Sequence, residues 1–132
     1  NMVNHMAIKK NKYLHMKQLT KAEEEIMQVL WELEIANVKE VILQIPEPKP
    51  AYNTVSTIIR ILENKGFVAH KQEGKFHYYY PVVKKEEYSN SSLNKLVENY
   101  FEGSFNELVS FFIKKNDVKL SDIEALLKEI KK

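Results

Sequence analysis

Apolar residues recur at helical spacing in three segments of the first half of the chain. The first segment predicts a helix over about 20–34, because residues 20–23 (Thr-Lys-Ala-Glu) form a capping box in front of it. A second capping box at 37–40 predicts a shorter helix that ends before the prolines of 46–50, since proline lacks a backbone N–H. Residues 46–50 are therefore interpreted as a stiff connector.

A third helix and a β-hairpin follow this connector. The helix is predicted over about 52–65, because Gly66 is typical of the position just past a helix end. After Gly66 the apolar period changes to two, and the segments 67–72 and 75–80 are rich in β-branched and aromatic residues. The intervening Glu-Gly at 73–74 predicts a two-residue turn, with a bulged three-residue turn as the alternative.

Three helices followed by a two-stranded hairpin is the order of elements in the winged-helix fold, a variant of helix-turn-helix. We therefore predict a mainly α fold with a small β-hairpin wing. A winged helix-turn-helix domain is expected over 17–85, followed by a helical dimerisation region over 86–132. Residues 1–16 show no clear periodicity and are interpreted as a leader that is disordered or artificially added.

The region 86–132 is predicted to be helical, with a break at Gly103 and capping boxes at 104–107 and 121–124. It is too short to bury a core alone, yet it is rich in large apolar side chains, which favours a partner surface. A second copy of the chain would supply that surface, whereas packing against its own winged helix is the alternative. The residues assigned to dimerisation are Leu93, Leu96, Tyr100, Phe101, Phe105, Phe111 and Phe112.

The third helix has a polar face of unusual composition. At about 100° per residue its apolar residues share one arc, and short polar residues share the opposite arc. The polar face carries amides, hydroxyls and one guanidinium but no acid, with Glu63 at its margin. Such groups bind base edges and phosphates, which carboxylates would repel. The pattern predicts a surface that reads a major groove, with an ordinary polar helix face as the alternative. Its residues are Asn53, Ser56, Thr57, Arg60 and Asn64.

Charge is distributed unevenly, although the net value is only +2. Residues 49–85 carry seven bases against two acids, whereas residues 17–48 carry three bases against seven acids. The central excess favours polyanion binding, and Lys71 and Lys75 near the hairpin tip are candidate phosphate contacts. A basic face that serves only solubility would give the same counts.

Composition and motifs exclude several classes of protein. Cysteine is absent, which excludes disulfides, thiolate metal sites and a cysteine nucleophile. No apolar run is long enough to span a membrane and no secretory signal is recognisable, so we expect a cytoplasmic protein. The chain has no Gly-rich phosphate loop and no nucleophile motif, which argues against an enzyme. His70 and His77 would face each other across the predicted hairpin without a further ligand nearby, so neither a metal nor a cofactor is predicted.

The third helix and the hairpin also match a known family. The stretch 51–67, together with His70, Gly74 and the Tyr-Pro at 80–81, resembles the penicillinase and methicillin-resistance repressors, the BlaI/MecI/CopY family. The resemblance covers about 17–131 and implies a homodimeric transcriptional repressor that binds a palindromic operator in double-stranded DNA. It implies a reading face of Asn53, Thr54, Ser56, Thr57 and Arg60, with Lys71 and Lys75 as wing contacts.

Two departures from the family pattern concern release from DNA. The copper-responsive branch carries a C-terminal cysteine cluster, so a chain without cysteine cannot respond by that route. In the β-lactam branch a membrane-bound sensor protease cleaves the dimerisation region, typically at an Asn-Phe bond. The matching bond here joins Ser110 to Phe111, and cleavage at that bond is a hypothesis. The competing interpretation of the whole chain is a winged-helix protein-interaction module without sequence-specific DNA binding.

Overall fold

The computed structural model describes residues 16–131, which are mainly helical with one two-stranded antiparallel sheet. The order of elements confirms the predicted winged helix-turn-helix fold with a β-hairpin wing, followed by further helices. The leader prediction, apart from Met16, lies outside the described residues. The elements are α1 (Lys21–Leu33), α2 (Val38–Gln44), α3 (Tyr52–Asn64), β1 (Val68–Glu73), β2 (Phe76–Pro81), α4 (Lys85–Tyr100), α5 (Phe105–Asn116) and α6 (Leu120–Ile130).

The first two helices begin at the predicted capping boxes. In α1 the Thr20 hydroxyl accepts a hydrogen bond from the Glu23 backbone N–H at 3.2 Å, and the Glu23 carboxylate accepts from the Thr20 N–H at 2.8 Å. The same reciprocal pair joins Asn37 and Glu40 at the start of α2, at 2.8 and 3.0 Å. Two boxes read from the sequence therefore set two helix boundaries.

The boundaries of the last two helices follow the sequence less closely. The Ser104 hydroxyl accepts from the Glu107 N–H at 3.2 Å, so Ser104 is the N-cap of α5 as predicted. The Ser104 N–H donates to the Phe101 carbonyl at 2.8 Å, so the reciprocal half of the predicted box does not form. The box predicted at 121–124 is wrong, because α6 begins at Leu120 and its N-cap is Lys119, whose side chain makes no capping bond. The Lys119 carbonyl already accepts from the N–H groups of Asp122 and Ile123, which places Ser121 inside the first turn.

The core of the winged helix lies between α1, α2, α3 and the start of the wing. The inner side of α3 presents Val55, Ile59 and Leu62, each at most 1% exposed. This arrangement confirms the apolar arc predicted for α3 and directs its polar arc away from the core. The buried residues that surround this arc are Ile26, Met27 and Leu30 of α1, Val41 of α2, and Phe67 and Val68.

The hairpin turn lies one residue later than predicted. Glu73 pairs with Phe76, so the two turn residues are Gly74 and Lys75 rather than Glu73 and Gly74. Gly74 has a φ of +61°, and a type II′ turn requires a positive φ at its first central residue, which glycine adopts readily. Glycine therefore occupies the first turn position, and the strand pairing shifts accordingly.

The wing is also tied to the segment between α1 and α2. Ala36 and Tyr79 form an isolated antiparallel bridge, with N–H to carbonyl distances of 2.9 and 2.8 Å. Ala36 is fully buried and Tyr79 is nearly so. The bridge positions β2 beside the N-terminus of α2, and therefore brings the wing, α2 and α3 to one side of the domain.

The described chain divides into two compact units within α4, after Ser92, whereas the sequence placed the domain boundary between residues 85 and 86. The start of α4 belongs to the winged helix because Tyr88 packs there. Its hydroxyl accepts from the Leu19 N–H at 3.0 Å, and its ring lies 5.6 Å from the Phe67 ring and 6.1 Å from the Trp31 ring. Trp31 in turn donates to the Val83 carbonyl at 2.9 Å.

The second unit, described over 93–131, buries Val97 but leaves most of its large apolar side chains accessible. Tyr100 is 75% exposed and Phe112 is 57% exposed. Six of the seven residues assigned to dimerisation are exposed, and the seventh, Phe101, is half-buried. Within residues 16–131, no helix combines the length and the apolar character that crossing a membrane requires.

Candidate nucleic-acid interface

The polar arc of α3 lies on the surface opposite the core. Asn53, Thr54, Thr57 and Arg60 are exposed, and Ser56 is half-buried. Ala51, the N-cap residue, makes no side-chain capping bond, and the first turn of α3 contains no acid. The structure thus places all five predicted reading residues on one accessible side of one helix.

A cleft of about 320 Å³ adjoins this arc. Three elements line it: α3, the N-terminal end of α2, and the tip of the wing. Its described lining residues include three cationic side chains and no carboxylate. A phosphodiester would therefore meet only positive or neutral groups there. The lining residues are Asn37, Val38, Lys39, Tyr52, Ser56, Arg60, Lys75, Phe76, His77 and Tyr79.

The two predicted wing lysines are placed differently. Lys75 occupies the turn and lines the cleft together with Ser56 and Arg60. Lys71 pairs with Tyr78, and the alternation of a strand puts it on the opposite face of the wing from His77 and Tyr79, which line the cleft. Its ammonium lies 3.4 Å from the Glu73 carboxylate. The structure therefore joins Lys75, but not Lys71, to the surface of α3.

Sequence reasoning missed Lys39 and Tyr52, which line the cleft beside Arg60. A signal for Lys39 was present, because it lies in the second capping box, at the N-terminus of the helix that precedes α3. Tyr52 is 51% exposed and is the first residue of α3. The approach of both residues to the wing was not visible in the sequence, because it depends on the bridge between Ala36 and Tyr79.

Two lysines of the central basic stretch, Lys49 and Lys65, bind to other groups of the protein itself. The Lys49 ammonium donates to the Ile45 carbonyl at 2.8 Å and the Ile42 carbonyl at 3.1 Å, which satisfies the C-terminal end of α2. The Lys65 ammonium lies 2.8 Å from the buried Glu23 carboxylate. The charge counted from the sequence therefore overstates the charge available to a ligand.

Glu63, His70 and His77 form a cluster at the junction of α3 and the wing. The Nδ1 atom of His70 lies 2.5 Å from Oε2 of Glu63. The rings of His70 and His77 stack with centroids 4.7 Å apart and planes 11° apart. The predicted direct pairing of these histidines is wrong, since His70 pairs with Tyr79 and His77 with Gln72. They are diagonal neighbours on one face of the hairpin, which still allows their rings to touch.

The cluster has no metal-binding arrangement. Over residues 16–131, no group of three or more His, Asp or Glu side chains is placed to hold a metal ion.

Burial raises the pKa of the neighbouring Tyr79 hydroxyl, the negative charge of Glu63 adds to that rise, and Arg60 opposes it. The charges of Glu63 and Arg60 therefore both act on Tyr79, which lines the cleft.

The family model described as penicillinase repressor matches residues 19–132. The chain belongs to this family. It is 29% identical over 110 residues to the methicillin resistance regulatory protein MecI of Staphylococcus aureus (strain N315), covering 83% of this chain and 89% of that protein. It is 26% identical over 110 residues to the penicillinase repressor of Bacillus licheniformis, covering 83% of this chain and 86% of that protein. The solution structure of the DNA-binding domain of the repressor BlaI is 30% identical and covers 55% of this chain and 90% of that one, with a TM-score of 0.49.

Membership of the penicillinase repressor family confirms the resemblance stated from the sequence. The matched proteins are repressors and regulatory proteins, so the prediction that the chain is not an enzyme is also confirmed.

The residues of the hypothetical cleavage bond, Ser110 and Phe111, are both exposed and lie within α5. The Phe111 ring lies 5.6 Å from the Phe101 ring.

Proposed function

We propose that this chain is a sequence-specific DNA-binding transcriptional repressor. The observation that carries the proposal is the continuity of two surfaces: the acid-free polar arc of α3 and the cationic cleft that α3 shares with α2 and the wing. A helix with short polar side chains enters a major groove closely, and flanking cations neutralise the phosphates on either side of that groove.

The residues have separable roles on such a duplex. Asn53, Ser56 and Thr57 suit base edges, and Arg60 suits guanine or a phosphate. Lys39, Lys75 and the Tyr52 hydroxyl line the cleft and suit phosphate oxygens. The first-turn N–H groups of α3 also suit a phosphate, since Ala51 supplies no side-chain acceptor.

We further propose that the repressor acts as a homodimer on a palindromic operator, in the cytoplasm. The exposed apolar side chains of 93–131, such as Leu96, Phe105 and Phe112, support self-association, because water contact with so many large apolar groups is unfavourable. Two-fold symmetry would present two copies of α3 to two half-sites. In this assignment 17–85 binds DNA and 86–132 dimerises, with the start of α4 packed into the first part.

Proteolytic derepression by a membrane-bound sensor protease is the remaining part of the proposal. The Ser110–Phe111 bond is exposed, which supports access by a protease, but it lies in the middle of α5. Cleavage therefore requires local opening of that helix. Incubation of the repressor with its cognate sensor, followed by mass spectrometry of the fragments, tests this assignment, and an intact chain would reject it.

Selection from randomised duplexes tests DNA recognition and identifies the operator. The selected duplex is then used to measure Kd for the wild type, Arg60→Ala and Lys75→Ala at increasing salt. We expect Arg60→Ala to lose discrimination between the selected and a scrambled duplex, and Lys75→Ala to weaken both about equally with a shallower salt slope. Lys71→Ala is the matched control and should change Kd least, because Lys71 faces away from the cleft.

A protein-interaction module would behave differently in the same experiment. It would select no duplex, and its binding to an apolar partner would hardly depend on salt.

Sedimentation of the wild type and of Phe112→Glu tests the homodimer. We expect a dimer for the wild type and a shift toward monomer for the variant, whereas a monomeric wild type would contradict dimerisation.

A further inference from the structure

The contact between Glu63 and His70 joins the reading helix directly to the wing. Nδ1 of His70 lies 2.5 Å from Oε2 of Glu63, and the side chains are 35% and 30% exposed. On its other side His70 stacks against His77, which lines the cleft. The pair is therefore accessible to protons and lies beside the surface proposed to face DNA.

Glu63 is the one acid of α3, and it lies at the margin of the reading face. An ionised carboxylate at this position repels the phosphates that flank an occupied major groove. The groups that contact His70 are Glu63 from α3, and His77 and Tyr79 from β2, and the charge of Arg60 acts on the neighbouring Tyr79. Lys71, next to His70 in β1, lies on the opposite face of the strand.

Protonation of His70 changes the charge of this cluster in a defined way. A neutral imidazole can donate its Nδ1 hydrogen to the Glu63 carboxylate, which leaves the pair with one negative charge. A protonated imidazole makes the same hydrogen bond and leaves the pair neutral. The rings of His70 and His77 stack with centroids 4.7 Å apart, and it is the Nδ1 atom of His70 that contacts the carboxylate.

We propose that the Glu63–His70 pair couples proton uptake to DNA binding, with protonated His70 masking the Glu63 carboxylate. The inference rests on the proposed function, and it makes His70 a positioning and charge-compensating residue rather than a base-reading one. Imidazole changes its charge between about pH 5 and 8, so DNA should be bound more tightly as the pH falls through that range. By linkage, DNA binding should draw a proton onto the repressor.

The experiment measures Kd of the full chain by fluorescence anisotropy between about pH 6 and pH 8. The probe is a mixed-sequence duplex of about 30 base pairs at about 50 mM salt, which needs no knowledge of the operator. For the wild type we expect Kd to be about five-fold lower at pH 6 than at pH 8. His70→Gln should reduce this ratio to less than about two-fold, and Glu63→Gln should bind more tightly than the wild type at pH 8, because the negative charge of the carboxylate is then absent.

His77→Gln is the matched control, since it removes the other imidazole of the stack and leaves the Glu63–His70 contact in place. It should keep the pH dependence of the wild type. Persistence of the pH dependence in His70→Gln, binding by Glu63→Gln at pH 8 that is no tighter than that of the wild type, or loss of the pH dependence in His77→Gln alone, would overturn the inference. A wild type that binds duplex equally at both pH values would also overturn it while leaving DNA binding intact. A wild type that binds no duplex at any pH rejects the proposed function itself.

Discussion

Replacing Lys65 with methionine would leave a buried carboxylate without its cation. Oε1 of Glu23 accepts from the Lys65 ammonium and from the Thr20 N–H, each at 2.8 Å. Glu23 is only 4% exposed, and within residues 16–131 its Oε2 atom has no hydrogen-bond partner. Methionine keeps much of the length of the lysine side chain, so the substitution removes mainly the charge.

The expected loss of stability follows from this geometry. Removing one partner of a buried ion pair costs about 3–5 kcal/mol. Here the Lys65 side chain is 24% exposed and the hydrogen bond from Thr20 survives, so we expect about 2–3 kcal/mol for Lys65→Met. For a domain of this size that loss lowers Tm by about 10 °C. Thermal unfolding followed by circular dichroism at pH 7 measures it.

The pH dependence gives a sharper test because it isolates the charge of Glu23. In the wild type, burial disfavours the charged carboxylate, but hydrogen bonds from Lys65 and Thr20 outweigh it and hold the pKa of Glu23 below its ordinary value of 4.5. The ion pair therefore stabilises the fold above about pH 4.5, and its contribution disappears as the pH falls through the lower folded-state pKa.

Without Lys65, both contributions by which it lowers the pKa of Glu23 are lost while burial still raises that pKa, so Lys65→Met should lose stability relative to the wild type as the pH rises. The difference in Tm between variant and wild type should be small near pH 4 and largest at pH 7. Adding Glu23→Gln to Lys65→Met should recover much of the loss, since a neutral amide needs no cation. A Tm within about 2 °C of the wild type at pH 7, or a difference that does not shrink on acidification, would refute the reasoning.

Three further substitutions test the packing and the turn. Gly74→Ala should cost about 1 kcal/mol by urea unfolding, because alanine is strained at a φ of +61° although no atom lies within 4 Å of its Cβ. Tyr88→Phe should cost about 1 kcal/mol in the same assay, because it removes the acceptor for the Leu19 N–H. Leu62→Ala should cost about 2–5 kcal/mol, since Leu62 is fully buried in the core, and calorimetry should show a correspondingly lower Tm.

Much of the fold and of the polar arc of α3 was predictable because it depends on residues close together in the chain. A capping box joins residues three positions apart, and both partners of the boxes at Thr20 and Asn37 are visible in the sequence. The inner and outer arcs of α3 follow from helical periodicity alone. The box expected at 121–124 failed because several residues near it could start a helix, and backbone hydrogen bonding to Lys119 selected an earlier one.

The amino-acid sequence by itself determined the order of helices and strands, the inner side of α3 and the character of its polar face. Tertiary structure decided which charges share that face. The strand register places Lys75 in the cleft and Lys71 on the far side of the wing. Packing over 42 positions of sequence pairs Lys65 with Glu23, and the docking of the wing on α3 brings His70 to Glu63. The spacing of residues within one helix or strand predicts which way their side chains point. Contacts between helices and strands depend instead on how the whole chain packs around its core.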